Sequence, residues 1–118
     1  MSKNVIVEKS FRFAVDIVKL YKYITTTKKE FILSKQLLKS GTSIGANVSE
    51  GVNGISKADF RSKLSIAFKE AKETEYWIAL MVETNILSKE ETYNLRKSCD
   101  EICRILSSIL KKCNSNMN

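Results

Sequence analysis

The sequence predicts an all-α protein, an antiparallel up-down-up-down four-helix bundle. Three observations carry that prediction. Proline is absent, and all four glycines (Gly41, Gly45, Gly51 and Gly54) fall within one stretch, "LLKSGTSIGANVSEGVNGIS", so the remaining chain lacks strong helix breakers. Apolar residues recur at steps of three and four through most of the 118 residues, the period of a helix with one buried face. Three capping-box signatures then mark helix starts: Thr27-Lys-Lys-Glu30, Ser56-Lys-Ala-Asp59 and Ser88-Lys-Glu-Glu91. In each, a hydroxyl and a carboxylate three residues later can satisfy amides that have no partner inside the helix.

The first helix is expected over residues 5–26, with an apolar stripe of Val7, Phe11, Ala14, Val18 and Tyr21 that Phe13, Ile17, Leu20 and Ile24 widen. The second, over 28–52, starts at the Thr27 box and ends at Asn53-Gly54, where glycine can turn left-handed without strain. The third, over 57–86, carries Phe60, Leu64, Ala67, Ala71, Ile78 and Val82. The fourth, over 89–113, has the cleanest seam: Leu95, Cys99, Ile102, Leu106, Ile109 and Cys113. Connections of a few residues force antiparallel neighbours, hence a single bundle domain over 1–113 with a polar, frayed tail at 114–118.

The glycine-rich stretch is not a phosphate-binding loop. No glycine precedes a lysine, and "FILSKQLLK" before it continues a helical pattern rather than a strand. Gly41 and Gly45 read instead as helix-packing residues. A second hairpin turning near residue 54 or 55 would set Gly45 opposite Leu64 and Gly41 opposite Phe68.

Charge is uneven. The chain carries a net +7, and residues 1–49 hold nine Lys/Arg against three acids, a net of +6. A basic half invites an acidic partner, nucleic acid foremost. The candidate contacts are Lys9, Arg12, Lys19 and Lys22 on the first helix, Lys28 and Lys29 at the turn, and Lys35 and Lys39 on the second. Lysines hold phosphate without reading bases, so such binding would be salt-sensitive and weakly sequence-specific. The N-terminal segment does not resemble a signal peptide, and no apolar run approaches the roughly 20 residues that span a bilayer. A cytoplasmic protein without membrane contact is expected.

Enzymatic readings fare poorly. Histidine is absent, which removes the usual general base and the Glu-x-x-His pairs of di-iron bundles. Glu70 and Glu73 share a helix face with Ile66, Trp77 and Leu80, and with Asn47 and Glu50 they are expected to form a structural polar cluster. Cys99 and Cys103 are spaced as a thiolate pair could be, but structural zinc wants four ligands and Cys113 lies ten residues further on. The preferred reading is core packing, with no metal and no cofactor. Tyr76, Trp77 and Met81 exceed what one bundle can hide, and are expected at an oligomer interface.

The segments "SIGANVSEG" (43–51) and "KLSIAFKEAKETEYWI" (63–78) resemble the four-helix-bundle family of 23S rRNA intervening-sequence proteins, and the resemblance covers nearly the whole chain. Its members are encoded within insertions in large-subunit ribosomal RNA genes or stand alone in bacterial genomes. A related branch is the accessory protein of diversity-generating retroelements. The resemblance implies a bacterial, non-enzymatic homo-oligomer, a ring-like pentamer, associated with RNA or DNA. The rival reading is a protein–protein interaction scaffold with no nucleic-acid role.

Overall fold

A computed structural model describes residues 3–117. It contains four long helices: α1 (Lys3–Tyr23), α2 (Leu33–Val52), α3 (Lys57–Glu83) and α4 (Lys89–Met117). Each packs on its neighbour in sequence, and α4 returns against α1. The result is a four-helix rod of 48 × 21 × 20 Å, all-α, with no strand among the described residues. None of its helices is long and apolar enough to cross a membrane.

The helix ends follow local chemistry, with two departures from the sequence reading. At the end of α1, Thr25 and Thr26 hydroxyls donate back to the Tyr21 and Lys22 carbonyls at 3.0 and 2.7 Å. Such back-bonding competes with the helical ladder, and the chain widens into a π turn, Ile24–Lys28, closed by left-handed Lys29 at φ 58°. Thr27 lies inside that turn and caps nothing. Glu30 does the capping instead: its carboxylate accepts from the backbone amides of Ile32, Leu33 and Ser34 at 3.0, 2.9 and 2.8 Å. Burial pushes the Glu30 carboxyl up, but the three amides outweigh it and hold the group below its ordinary value.

The other two serines cap their helices, Ser88 in a full reciprocal box and Ser56 through its hydroxyl alone. Ser56 accepts from the Asp59 amide at 3.0 Å, and Ser88 and Glu91 satisfy each other's amides at 3.0 and 2.8 Å. Gly54 is not left-handed; α2 stops at Asn53 with φ −92°, and the second left-handed residue is Asn85 at φ 63° between α3 and α4. Asparagine tolerates that region better than most side chains. α4 continues through Met117, so the tail expected from residue 114 is helical to that point, and Asn118 lies outside the described residues.

The core runs through Ile6, Phe13 and Ile17 of α1, Leu37, Ile44 and Val48 of α2, Leu64, Ala67, Ala71, Ile78 and Met81 of α3, and Cys99, Ile102 and Leu106 of α4. On α1 the stripe is therefore rotated from the expected one: Phe11 is 69% exposed while Ile6, Phe13 and Ile17 are buried. Two adjacent apolar rows share that helix, and its partner decides which is buried. The partner is α2, through its glycines. A Cβ on Gly41 would lie 2.7 Å from Ile17 Cγ1, and one on Gly45 would lie 3.1 Å from the Ser10 carbonyl oxygen. Both glycines thus face α1, not Phe68 and Leu64 as the sequence suggested. Gly51 is the residue against Leu64, at 2.8 Å from a built Cβ to Cδ1. The register of α2 on α3 is also fixed by the buried Ser40 and Thr74 hydroxyls, hydrogen-bonded at 2.9 Å. No buried polar side-chain atom among the described residues lacks a partner.

Candidate functional site

The eight cations expected to meet phosphate divide by their surroundings. Lys9 reaches Glu101 of α4 at 3.1 Å, and Lys28 reaches Glu91 at 3.9 Å. Arg12 lines a groove of about 690 Å³ between α1 and α4 beside Glu8, Asp16 and Glu101, a setting of mixed sign. Lys39 lies within electrostatic reach of Glu70 on α3. Lys19, Lys22, Lys29 and Lys35 remain exposed and take no part in an ion pair among the described residues. They stand on the last turns of α1, the residue after the π turn and the first turn of α2. The first hairpin therefore ends in a cationic tip. Phe31 and Ile32, 60% and 76% exposed, sit in the same turn.

The expected carboxylate cluster is split. The Asn47 amide donates to the Ser43 carbonyl within α2 at 2.8 Å, and Glu50 pairs with Lys63 at 3.2 Å. Neither bonds to Glu70 or Glu73. Glu73 accepts from the Trp77 indole at 3.1 Å. Glu70 is half-buried, and burial, then the neighbouring Glu73 carboxylate, push its carboxyl up against the pull of Lys39 and Lys69. This is a surface pair on α3, not a four-residue network between helices.

The proposed interface residues also separate. Met81 is fully buried in the chain's own core, because α3 buries the register 64, 67, 71, 74, 78, 81. It cannot contact another copy. Tyr76 is 60% exposed and packs edge-on to half-buried Trp77, ring centres 5.1 Å apart. Ile66, 41% exposed, lies on the same outward side of α3.

The family model described as "23S rRNA-intervening sequence protein" matches residues 2–108 of this four-helix chain. The chain belongs to that family. A similar solved structure is the crystal structure of a protein of unknown function from the S23 ribosomal protein family of Bacteroides thetaiotaomicron. It is 49% identical, with a TM-score of 0.91, and the match covers 94% of this chain and 99% of that one. Among curated proteins, none matches the sequence.

One feature of this 23S rRNA-intervening sequence protein escaped sequence reasoning. Glu75 of α3 meets Cys99 and Cys103 of α4, their oxygen and sulfur atoms all within 4.8 Å of one another. The Cys-x-x-x-Cys spacing was visible; its third member depends on the register of α3 on α4, which no local signal reports. Cys99 donates to the Ala71 carbonyl at 3.5 Å. The two thiols are linked: a hydrogen bond with Cys103, then burial, pushes Cys99 up, and the Cys99 thiol in turn lowers Cys103 against the cost of burial. The neighbouring Glu75 carboxylate also opposes that lowering, and the Lys72 ammonium, 3.3 Å from that carboxylate, aids it.

Proposed function

We propose that this protein is a non-enzymatic, self-associating bundle that holds RNA at the tip of its first hairpin, acting in the cytoplasm. The observation that carries the reading is the cationic tip itself. Four exposed lysines with no ion pair among the described residues stand on the last turns of α1, after the π turn and on the first turn of α2, near Glu91 of α4, and unpaired lysine is what a phosphate backbone displaces counterions to reach. Phe31, exposed among them, offers a ring on which a base can stack. The family's name associates its members with intervening sequences of 23S rRNA, and the reading extends that association to contact with RNA. The absence of histidine supports a binding role over catalysis.

Self-association is proposed through the outward side of α3, where Ile66, Tyr76 and Trp77 leave apolar surface uncovered. A ring of copies, five in the reading drawn from the resemblance, would repeat the tip and let modest contacts act with avidity. The same apolar side favours the second reading, a scaffold for protein partners.

Recovery of tagged protein from a native extract, with and without RNase, separates the two. The RNA reading predicts RNA enriched with the protein, lost at high salt and lost when Lys19, Lys22, Lys29 and Lys35 are changed to Glu. Protein partners that survive RNase, with no RNA enriched, would establish the scaffold instead.

A further inference from the structure

The Cys99–Cys103–Glu75 group is built differently from the rest of the core. Cys99 and Cys103 are one turn apart on the same side of α4, so both sulfurs point at the same strip of α3. Glu75 projects from that strip, and the three donor atoms lie within 4.8 Å of one another. Two thiols and one carboxylate are the donor types that a borderline-soft d¹⁰ cation prefers. Zinc bonds of about 2.3 Å to sulfur and 2.0–2.2 Å to oxygen put tetrahedral ligands under about 4 Å apart, so the group must close by roughly 1 Å. Side-chain rotation can supply that, since Glu75 is only half-buried.

Access and charge also fit. Cys99 and Glu75 line a cleft of about 370 Å³ between α3 and α4, and Cys103 lines a second of about 530 Å³ that shares Asp100 with the first. Arg96 lines the first cleft and Lys72 the second. Two thiolates and a carboxylate around a divalent ion leave one net negative charge, which Arg96 offsets and Asp100, lining both clefts, opposes. The Lys72 ammonium now occupies the Glu75 carboxylate, so it competes with a metal for that ligand.

We propose that Cys99, Cys103 and Glu75 bind one thiophilic d¹⁰ cation of the zinc class, with a solvent molecule as fourth ligand. Binding releases the two thiol protons and draws α3 and α4 together at mid-seam. It changes no oxidation state. Three protein ligands and one open position make this a weaker site than a closed four-thiolate one, suited to a reversible clamp.

The test is titration of the reduced, folded protein with Cd²⁺, following the thiolate-to-metal charge-transfer band and the helical circular dichroism together. The reference is Cys113→Ser, whose thiol lies outside the group. The site predicts a band saturating at one equivalent in wild type and Cys113→Ser, and lost in Cys99→Ser and Cys103→Ser. Glu75→Gln should weaken binding by at least about tenfold, the lower end of what losing even an outer-sphere partner costs. Lys72→Gln should tighten it by removing the competitor. Zn²⁺ in large excess should displace Cd²⁺, and Zn²⁺ alone should raise the thermal midpoint of wild type. No saturable band, or an equal band in the Cys99→Ser Cys103→Ser double variant, overturns the proposal. Should either cysteine variant unfold, the two α3 variants decide: unchanged affinity in both Glu75→Gln and Lys72→Gln also overturns it.

Discussion

Gly41 shows how a single absent methyl group sets the spacing of two helices. Glycine inside a helix costs about 1 kcal/mol relative to alanine, so on propensity alone Gly41→Ala should stabilise. The built Cβ, however, meets Ile17 at three atoms between 2.7 and 2.9 Å, and Ile17 is fully buried with nowhere to retreat. Overpacking of this kind costs about 1–3 kcal/mol. We expect Gly41→Ala to destabilise by up to about 2 kcal/mol in urea denaturation, the strain outweighing the propensity gain. Ile17→Val combined with Gly41→Ala should recover part of that loss relative to the sum of the single changes, since neighbours couple; strict additivity would contradict the contact. The role of glycine here was legible in the sequence, but its partner was not. Short connections imply antiparallel neighbours for α1–α2 and α2–α3 alike, and composition does not say on which side of α2 the glycines fall. The same gap hid Glu75 from Cys99 and Cys103, and left Met81 mistaken for surface.

Among the elements, the caps were the most legible feature, because a cap is local chemistry. Ser88 serves as read and Ser56 in its hydroxyl half; Thr27 fails because its neighbours Thr25 and Thr26 draw the chain into a π turn first. Glu30 then supports the start of α2 alone. Its carboxyl titrates below the ordinary 4.5 in the folded state, so its stabilisation is complete above that value and is lost as pH falls through the lower folded one. Glu30→Ala should cost about 1 kcal/mol near neutral pH, by analogy with the removal of other caps. The deficit should shrink in acid when the two proteins are compared by urea denaturation across pH; a deficit that does not change with pH would assign it to packing. Ser88→Ala, which opens the reciprocal box, should cost a similar ~1 kcal/mol at all pH values above the carboxylate range.

At the scale of the whole molecule, the seams are unequal. α2 packs on α1 and α3 along most of its length, whereas the α1–α4 seam is the thinnest and leaves the large groove. Hydrogen exchange should be slowest at Ile44, Leu64, Ala67 and Ala71, and faster along the groove at Phe11 and Arg12; the reverse order would place the weak seam elsewhere. Outward from the core, Ile66→Glu with Tyr76→Glu should shift the native mass of the proposed assembly toward the monomer, and an unchanged mass would contradict self-association through this side of α3. The bundle itself could be read from periodicity and caps. The proposed RNA-holding surface could be read only in part, since Lys9 and Lys28 count equally with Lys22 and Lys35 in a sequence, and only the folded neighbours show which are already paired.

The hairpin tip is proposed to hold RNA through lysine and phosphate, and the most direct test is the affinity for a single-stranded RNA, read by fluorescence anisotropy across a range of salt concentrations. For wild type, log affinity should fall linearly with log salt. Changing Lys19, Lys22, Lys29 and Lys35 to Ala should reduce that slope by about 3, at roughly 0.7 for each phosphate that a lysine no longer neutralises on a single strand. An unchanged slope in the quadruple variant, or no binding by wild type at low salt, would contradict RNA binding at the tip.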